Sequence, residues 1–266
     1  MVAIYTDVLR YRDLFANLFR RDFQARYKGS ALGVLWSLAN PLLLMAIYVV
    51  VFSVLLRVGG DIPHYALYVL AGLAPWIFFS TSLQMSARAM LDNANLIRKT
   101  RFPRQLVPLS SVATQLVTFG VMLLVLLVLN MALVPETRST AWLAVPLAAL
   151  LVPLVGGLAI AVSAANVLFR DVEHLVSAVL LPWFFLTPVL YSFETLPGVE
   201  EHRTLVDVLR WANPLTPPIE ALRAPLWAGE WPAAGDVLYL VVAAAASLAL
   251  GAWVFNRADD RIAVEL

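Results

Sequence analysis

Asp92-Asn93-Ala94-Asn95-Leu96-Ile97-Arg98-Lys99-Thr100-Arg101-Phe102-Pro103-Arg104 is a short basic loop between two long apolar runs. Arg98, Lys99, Arg101 and Arg104 place four cations in seven residues. Positive loops resist translocation, so this one reads as cytoplasmic and orients the spans on either side. A basic hairpin tip on that face is also a docking surface, which suggests a partner that drives the protein from below.

The rest of the chain is suited to a bilayer. Of 266 residues 61% are hydrophobic and 14% charged, against about 25% charged in soluble domains. Mean hydropathy is +0.79. These values exclude a soluble enzyme with a large core and leave no room for a sizeable soluble domain. The net charge of +1 gives no argument for nucleic acid. Cysteine is absent, so neither a disulfide framework nor a thiolate metal site is available. The first thirty residues are charged throughout and do not read as a cleavable signal.

A span needs about 20 apolar residues. Six runs qualify: Leu32–Leu56, Tyr65–Met90, Leu106–Val134, Ala141–Leu168, Leu175–Tyr191 and Val237–Phe255. The second contains Gly72 and Pro75 and is expected to be bent or broken. With the N-terminus inside, only Arg57, Arg138, Arg203, Arg210 and Arg223 of the 19 basic residues fall outside. The reverse orientation would put the majority outside, so both termini are expected to be cytoplasmic.

Two segments do not span. In Tyr5–Lys28, Val8, Leu9, Leu14, Phe15, Leu18, Phe19 and Phe23 recur at helical spacing. Arg10, Arg12, Arg20, Arg21 and Arg26 alternate with them, as in a helix lying in the cytoplasmic interface. The second is Ser192–Asp236, where Pro197, Pro214, Pro217, Pro218, Pro225 and Pro232 exclude one long helix. Its many Leu, Val and Trp residues are too apolar for a solvated loop. Short helices that dip into the outer leaflet fit better, provided that protein or water covers their backbone.

The chemistry of a site is sparse. The string Tyr27-Lys28-Gly29-Ser30 lacks the spacing of a phosphate-binding loop. His64, His174 and His202 form no pair with metal-ligand spacing, so no metal site is expected. Ionisable groups are nearly absent from the spans, with Arg88 at a cytoplasmic end where it can snorkel. A proton or ion relay normally needs them, so energy is expected to come from another chain. The aromatics Trp36, Tyr48, Trp76, Phe79, Trp183, Phe184 and Tyr191 fall in or at the ends of spans. An interfacial belt accounts for such residues in general, and a lining for a glycan path is the functional reading.

Several strings in order carry a resemblance. Arg21-Asp22-Phe23-Gln24-Ala25-Arg26-Tyr27-Lys28-Gly29-Ser30 leads to Leu32-Gly33-Val34-Leu35-Trp36 and Asn40-Pro41-Leu42. Gly72-Leu73-Ala74-Pro75-Trp76-Ile77-Phe78-Phe79 and the loop from Asn93 to Arg104 follow. Then come Phe169-Arg170-Asp171-Val172-Glu173-His174-Leu175 and Trp183-Phe184-Phe185-Leu186-Thr187-Pro188-Val189. Last is Asn213-Pro214-Leu215-Thr216-Pro217-Pro218-Ile219-Glu220-Ala221-Leu222-Arg223. Over nearly its whole length the chain resembles the permease subunit of ABC-2 type polysaccharide exporters, which move O-antigen, capsular polysaccharide, teichoic acid or related lipid-linked glycans.

The resemblance implies an all-α integral membrane fold of six spans in the bacterial inner membrane. It implies a homodimer on two copies of a separate ABC ATPase, with ATP and Mg bound there and no cofactor on this chain. Asn93, Asn95, Leu96, Arg98, Lys99, Arg101, Phe102 and Arg104 would form the coupling helix, with Arg170 and Asp171 as a second ATPase contact. Arg20, Arg21, Asp22, Arg26, Tyr27 and Lys28 would belong to the interfacial helix, also touching the ATPase. Asn213, Glu220 and Arg223 would lie in external re-entrant helices spanning 193–232 near the channel exit. The short tail 256–266 leads us to expect no carbohydrate-binding domain on this chain. Two other readings are a permease for a drug or small lipid, and a membrane enzyme acting on a polyprenyl lipid. The enzyme needs convergent charges, and Asp92, Asp171 and Glu173 are too scattered to supply them.

Overall fold

The computed structural model describes residues 2–29, 36–55, 62–100, 102–193 and 201–265. Among these, every regular element is helical. Helices α1 (Val2–Arg10) and α2 (Arg12–Tyr27) precede α3 (Trp36–Tyr48), which continues as a π-helical stretch, Val49–Leu55. Then come α4 (Tyr65–Asp92), α5 (Ala94–Lys99), α6 (Leu106–Leu133) and α7 (Ala144–Leu168). The chain closes with α8 (Val172–Leu186), α9 (Arg203–Ala212), α10 (Thr216–Arg223) and α11 (Ala234–Glu265).

Four helical segments are long and apolar enough to cross a membrane: Tyr65–Asp92, Leu106–Leu133, Ala141–Leu168 and Ala234–Asp259. Two more apolar helices, Pro41–Phe52 and Val172–Leu186, are shorter. The first expected span is therefore described only in part, since residues 32–35 and Leu56 lie outside the described set. The fifth expected span is also met only in part. Its helix has 15 residues and is about 22 Å long, short of a hydrocarbon core of about 30 Å. It ends because Pro188 disfavours helical geometry at the preceding residue, and Thr187 is extended at φ −99°, ψ 130°.

Three other expectations change. The second span is not broken: α4 runs as one helix through Pro75, buried against its neighbours along most of its length. Neighbouring helices allow such a proline by shielding the carbonyl it leaves without a donor. The N-terminal segment is two helices hinged at Tyr11 (φ −109°, ψ 34°). The last helix continues ten residues past Phe255.

The core lies between α4, α6, α7, α10 and α11. Helices α7 and α11 form the most extensive pairing and meet backbone to backbone. A Cβ on Gly157 would lie 2.4 Å from Ser247, and one on Gly251 would lie 2.4 Å from the Gly157 carbonyl. Small residues allow this approach, and in lipid such packing drives helix association. Ser247 Oγ donates to the Leu154 carbonyl across the same contact.

A second apolar cluster sits at one end of the bundle. It joins Leu18 of α2, Met90 of α4, Ile97 of α5, Leu106 of α6, Val167 of α7 and Phe255 and Ile262 of α11. The N-terminal helices, the basic loop and the C-terminal end of α11 thus share one end.

Candidate functional site

The basic loop is built as a short amphipathic helix. The Asn93 carbonyl accepts from the Leu96 and Ile97 amides and starts α5. Asn93 Nδ2 donates to the Ala89 carbonyl at 2.7 Å, tying α5 to the end of α4. Ile97 is buried, whereas Asn95, Arg98 and Lys99 are exposed. Arg98 and Lys99 stand in the last turn of α5, where cations complement the helix dipole. The helix stops at Thr100, whose backbone is extended, before Pro103 is reached. Pro103 instead accepts the Leu106 amide and helps open α6. Arg101 lies outside the described residues.

A cavity of about 690 Å³ adjoins α5, and its lining includes Phe102, Arg104, Asp7 and Asp259, with Arg98 and Lys99 at its rim. Arg104 Nη1 donates to both the carbonyl and Oδ1 of Asp259 at 2.7 Å. Gln105 Nε2 donates to Asp7 Oδ2 at 2.7 Å. The chain's own termini therefore brace the loop, and Arg104 is engaged within the chain while Arg98 and Lys99 point outward.

The other expected contact lies at the same end. Arg170 and Asp171 are exposed in the turn between α7 and α8. Asn166 holds that turn, accepting from the Glu173 amide at 2.9 Å and donating to the Ala87 carbonyl at 2.8 Å. Arg88 lies 3.6 Å from Glu173. In α2, Arg20 and Lys28 are exposed, and Tyr27 is its last residue. Arg21 pairs with Asp22 at 2.7 Å, and Asp22 Oδ2 accepts from Ser110 Oγ at 2.9 Å. Arg26 Nη1 donates to Gln115 Oε1. Helix α2 is docked on α6 by these bonds.

Five of the seven aromatic residues converge. Tyr48 of α3 stacks on Phe184 of α8 at 5.8 Å, and Phe184 lies 5.4 Å from Trp76 of α4. Phe79 contacts Trp76 and Trp183. Trp36 is exposed and stays outside this cluster. Tyr191 lies beyond α8, where its carbonyl accepts from Tyr68 Oη at 2.8 Å.

At the other end of the bundle, α10 is buried between α4, α7 and α11. Asn213 accepts from Trp183 Nε1 and donates to Thr187 Oγ1, joining α8 to the turn before α10. Arg223 pairs with Glu220 at 2.8 Å. Its guanidinium also bonds Tyr68 Oη and the carbonyls of Pro188 and Val189, and it lies 3.7 Å from the centre of the Tyr68 ring. Residues 194–200 of the expected re-entrant segment lie outside the described set.

Sequence reasoning missed a polar wall inside the spans. Thr81 and Gln84 of α4 face Ser111, Thr114 and Gln115 of α6 around a cavity of about 620 Å³. Its signal in the sequence is a set of neutral polar residues at helical spacing, which a reading of ionisable groups alone does not register.

Residues 13–227 match the family model described as ABC-2 type transporter. The chain is 35% identical over 266 residues to the O-antigen export system permease protein RfbA of Myxococcus xanthus, covering 99% of each. Two proteins of the same name from Klebsiella pneumoniae are 38% identical over 191 residues, 70% of this chain and 71% of theirs.

Proposed function

The chain belongs to the ABC-2 type transporter family, and we propose that it is the membrane subunit of an ATP-driven exporter of a lipid-linked polysaccharide. It is a multi-pass transporter subunit and not an enzyme. The substrate class rests on the names of its relatives and on the aromatic cluster between α3, α4 and α8, since sugar faces pack on aromatic rings. The observation that carries the mechanism is α5, a helix anchored by buried Ile97 with Arg98 and Lys99 outward.

In this reading the chain has six spans with both termini cytoplasmic, in the bacterial inner membrane. It pairs with a second copy of itself on two ATPase subunits. ATP and Mg act on those subunits, whose closure pushes on α5. Because α5 stands in the connection between α4 and α6, the push moves both. The α7–α8 turn with Arg170 and Asp171 is the second point of contact. The path opens beside the short helices α3 and α8, and the lipid tail stays in the bilayer while the headgroup and glycan cross.

Reversal of both outward charges, Arg98→Glu with Lys99→Glu, tests this directly. The doubly reversed chain is expected to insert normally, since the positive charge elsewhere on the inner face is untouched. It is expected to lose most co-purifying ATPase and nearly all export. Normal retention of the ATPase with normal export overturns the docking role of α5.

A further inference from the structure

Two cavities meet on α4. One, of about 620 Å³, lies between α2, α4 and α6 and is lined by Arg21, Arg26, Thr81, Gln84 and Gln115 among others. The second, of about 270 Å³, lies between α3, α4 and α8, where Tyr48, Trp76, Ser80 and Phe184 help to line it. Gln84 belongs to both linings. The helix explains this: positions 77, 80 and 84 form one stripe of α4, and 81, 85 and 89 form the next.

The polar cavity runs well along both candidate spans from the α5 end of the bundle. Thr81 is about 16 Å along α4 from Asp92, and Gln115 is about 14 Å along α6 from Leu106. Uncharged amides at that depth are costly unless they meet a partner. Gln115 is 2% exposed. Its Oε1 accepts from Arg26, which fixes the amide orientation and leaves Nε2 as a buried donor with no partner.

We propose that this cavity receives the phosphate group that joins a lipid carrier to its glycan. Gln115 Nε2 is the inner donor, Arg21 and Arg26 supply positive charge along the α2 wall, and the aromatic recess beyond Gln84 takes the adjoining sugar. Asp22 and Asp92 also line the cavity. Asp22 is held by Arg21 and Ser110, and Asp92 is exposed. This inference rests on the export reading above and adds the site where the substrate loads.

The test uses the permease–ATPase complex in nanodiscs of neutral lipid, with polyprenyl diphosphate as probe and bound lipid counted by native mass spectrometry. Gln115→Leu is expected to weaken binding about tenfold, the size of a lost hydrogen bond to a charged group. Gln115→Glu is expected to weaken it further. Met85→Trp fills the same cavity from an exposed position, so its loss of binding decides the matter if the Gln115 variants fail to assemble. Binding unchanged in every assembled variant overturns the site and leaves the export reading standing. Failure of the unaltered complex to bind the probe overturns both. Equal competition by phosphatidylglycerol shows a general anionic-lipid site and overturns the assignment to the glycan carrier.

Discussion

Gly157→Leu is expected to prevent the chain from accumulating as a folded membrane protein. The ideal Cβ at Gly157 falls 2.4 Å from the backbone of Ser247, and no flexible side chain can move aside. The only relief is separation of α7 from α11, which form the most extensive helix pair. Overpacking in a core that can adjust costs about 1–3 kcal/mol, and here backbone meets backbone. Separation also forfeits the van der Waals contact that holds helices together in lipid. Gly251→Leu meets the Gly157 carbonyl and is expected to behave alike. Gly120→Leu is the control, since a Cβ there meets nothing within 4 Å. Size-exclusion profiles of a fluorescently tagged chain separate these outcomes. A normal monodisperse peak for Gly157→Leu contradicts the close packing.

Arg223→Met is expected to give a chain that inserts but is less stable and does not export. Arg223 is 2% exposed. Its guanidinium joins α10 to Tyr68 of α4 and to the carbonyls that follow α8. Truncating one member of a buried charged network costs about 3–5 kcal/mol. Much of that loss comes from the unsatisfied Pro188 and Val189 carbonyls and from the cation–π contact with Tyr68. Glu220→Gln is expected to be mild, below about 1 kcal/mol, because the Glu220 side chain is 33% exposed and water screens the pair. Arg223→Lys is expected not to rescue, since an ammonium lacks the planar fork that spans these acceptors. Thermal unfolding followed by tryptophan fluorescence, with export assayed in cells, checks the series. Wild-type stability in Arg223→Lys shows that charge alone suffices.

These two positions differ in how far the sequence exposed them. Arg223 could be paired with Glu220 from their spacing, and that pair forms. Its bonds to Tyr68 and to the residues after α8 could not be read, because they join segments far apart in the chain. The α7–α11 contact was likewise hidden, since glycines in apolar spans carry no partner information. The third and fourth spans were legible almost to the residue: Leu106–Leu133 forms as α6, and the fourth closes at Leu168. A continuous apolar run between polar stretches leaves little freedom there. The run Leu175–Tyr191 misled because hydropathy stays high through Pro188, so backbone geometry ends the helix before polarity does.

The aromatic set shows a further limit. Sequence gives depth in the membrane but not direction around the bundle. Tyr48, Trp76, Phe79, Trp183 and Phe184 converge, while Trp36 is exposed and Tyr191 belongs to the turn after α8. Gln115 escaped notice because a neutral amide raises no alarm in a hydropathy reading. Its buried, partnerless nitrogen becomes visible only once α2 and α6 are in place.

Native mass spectrometry of the complex, purified gently from its own host, tests the central claim most directly. The account predicts two copies of this chain with two copies of an ATPase that carries a nucleotide-binding motif. A chain recovered without any ATPase, even after crosslinking in the membrane, contradicts the claim that a partner drives it through α5.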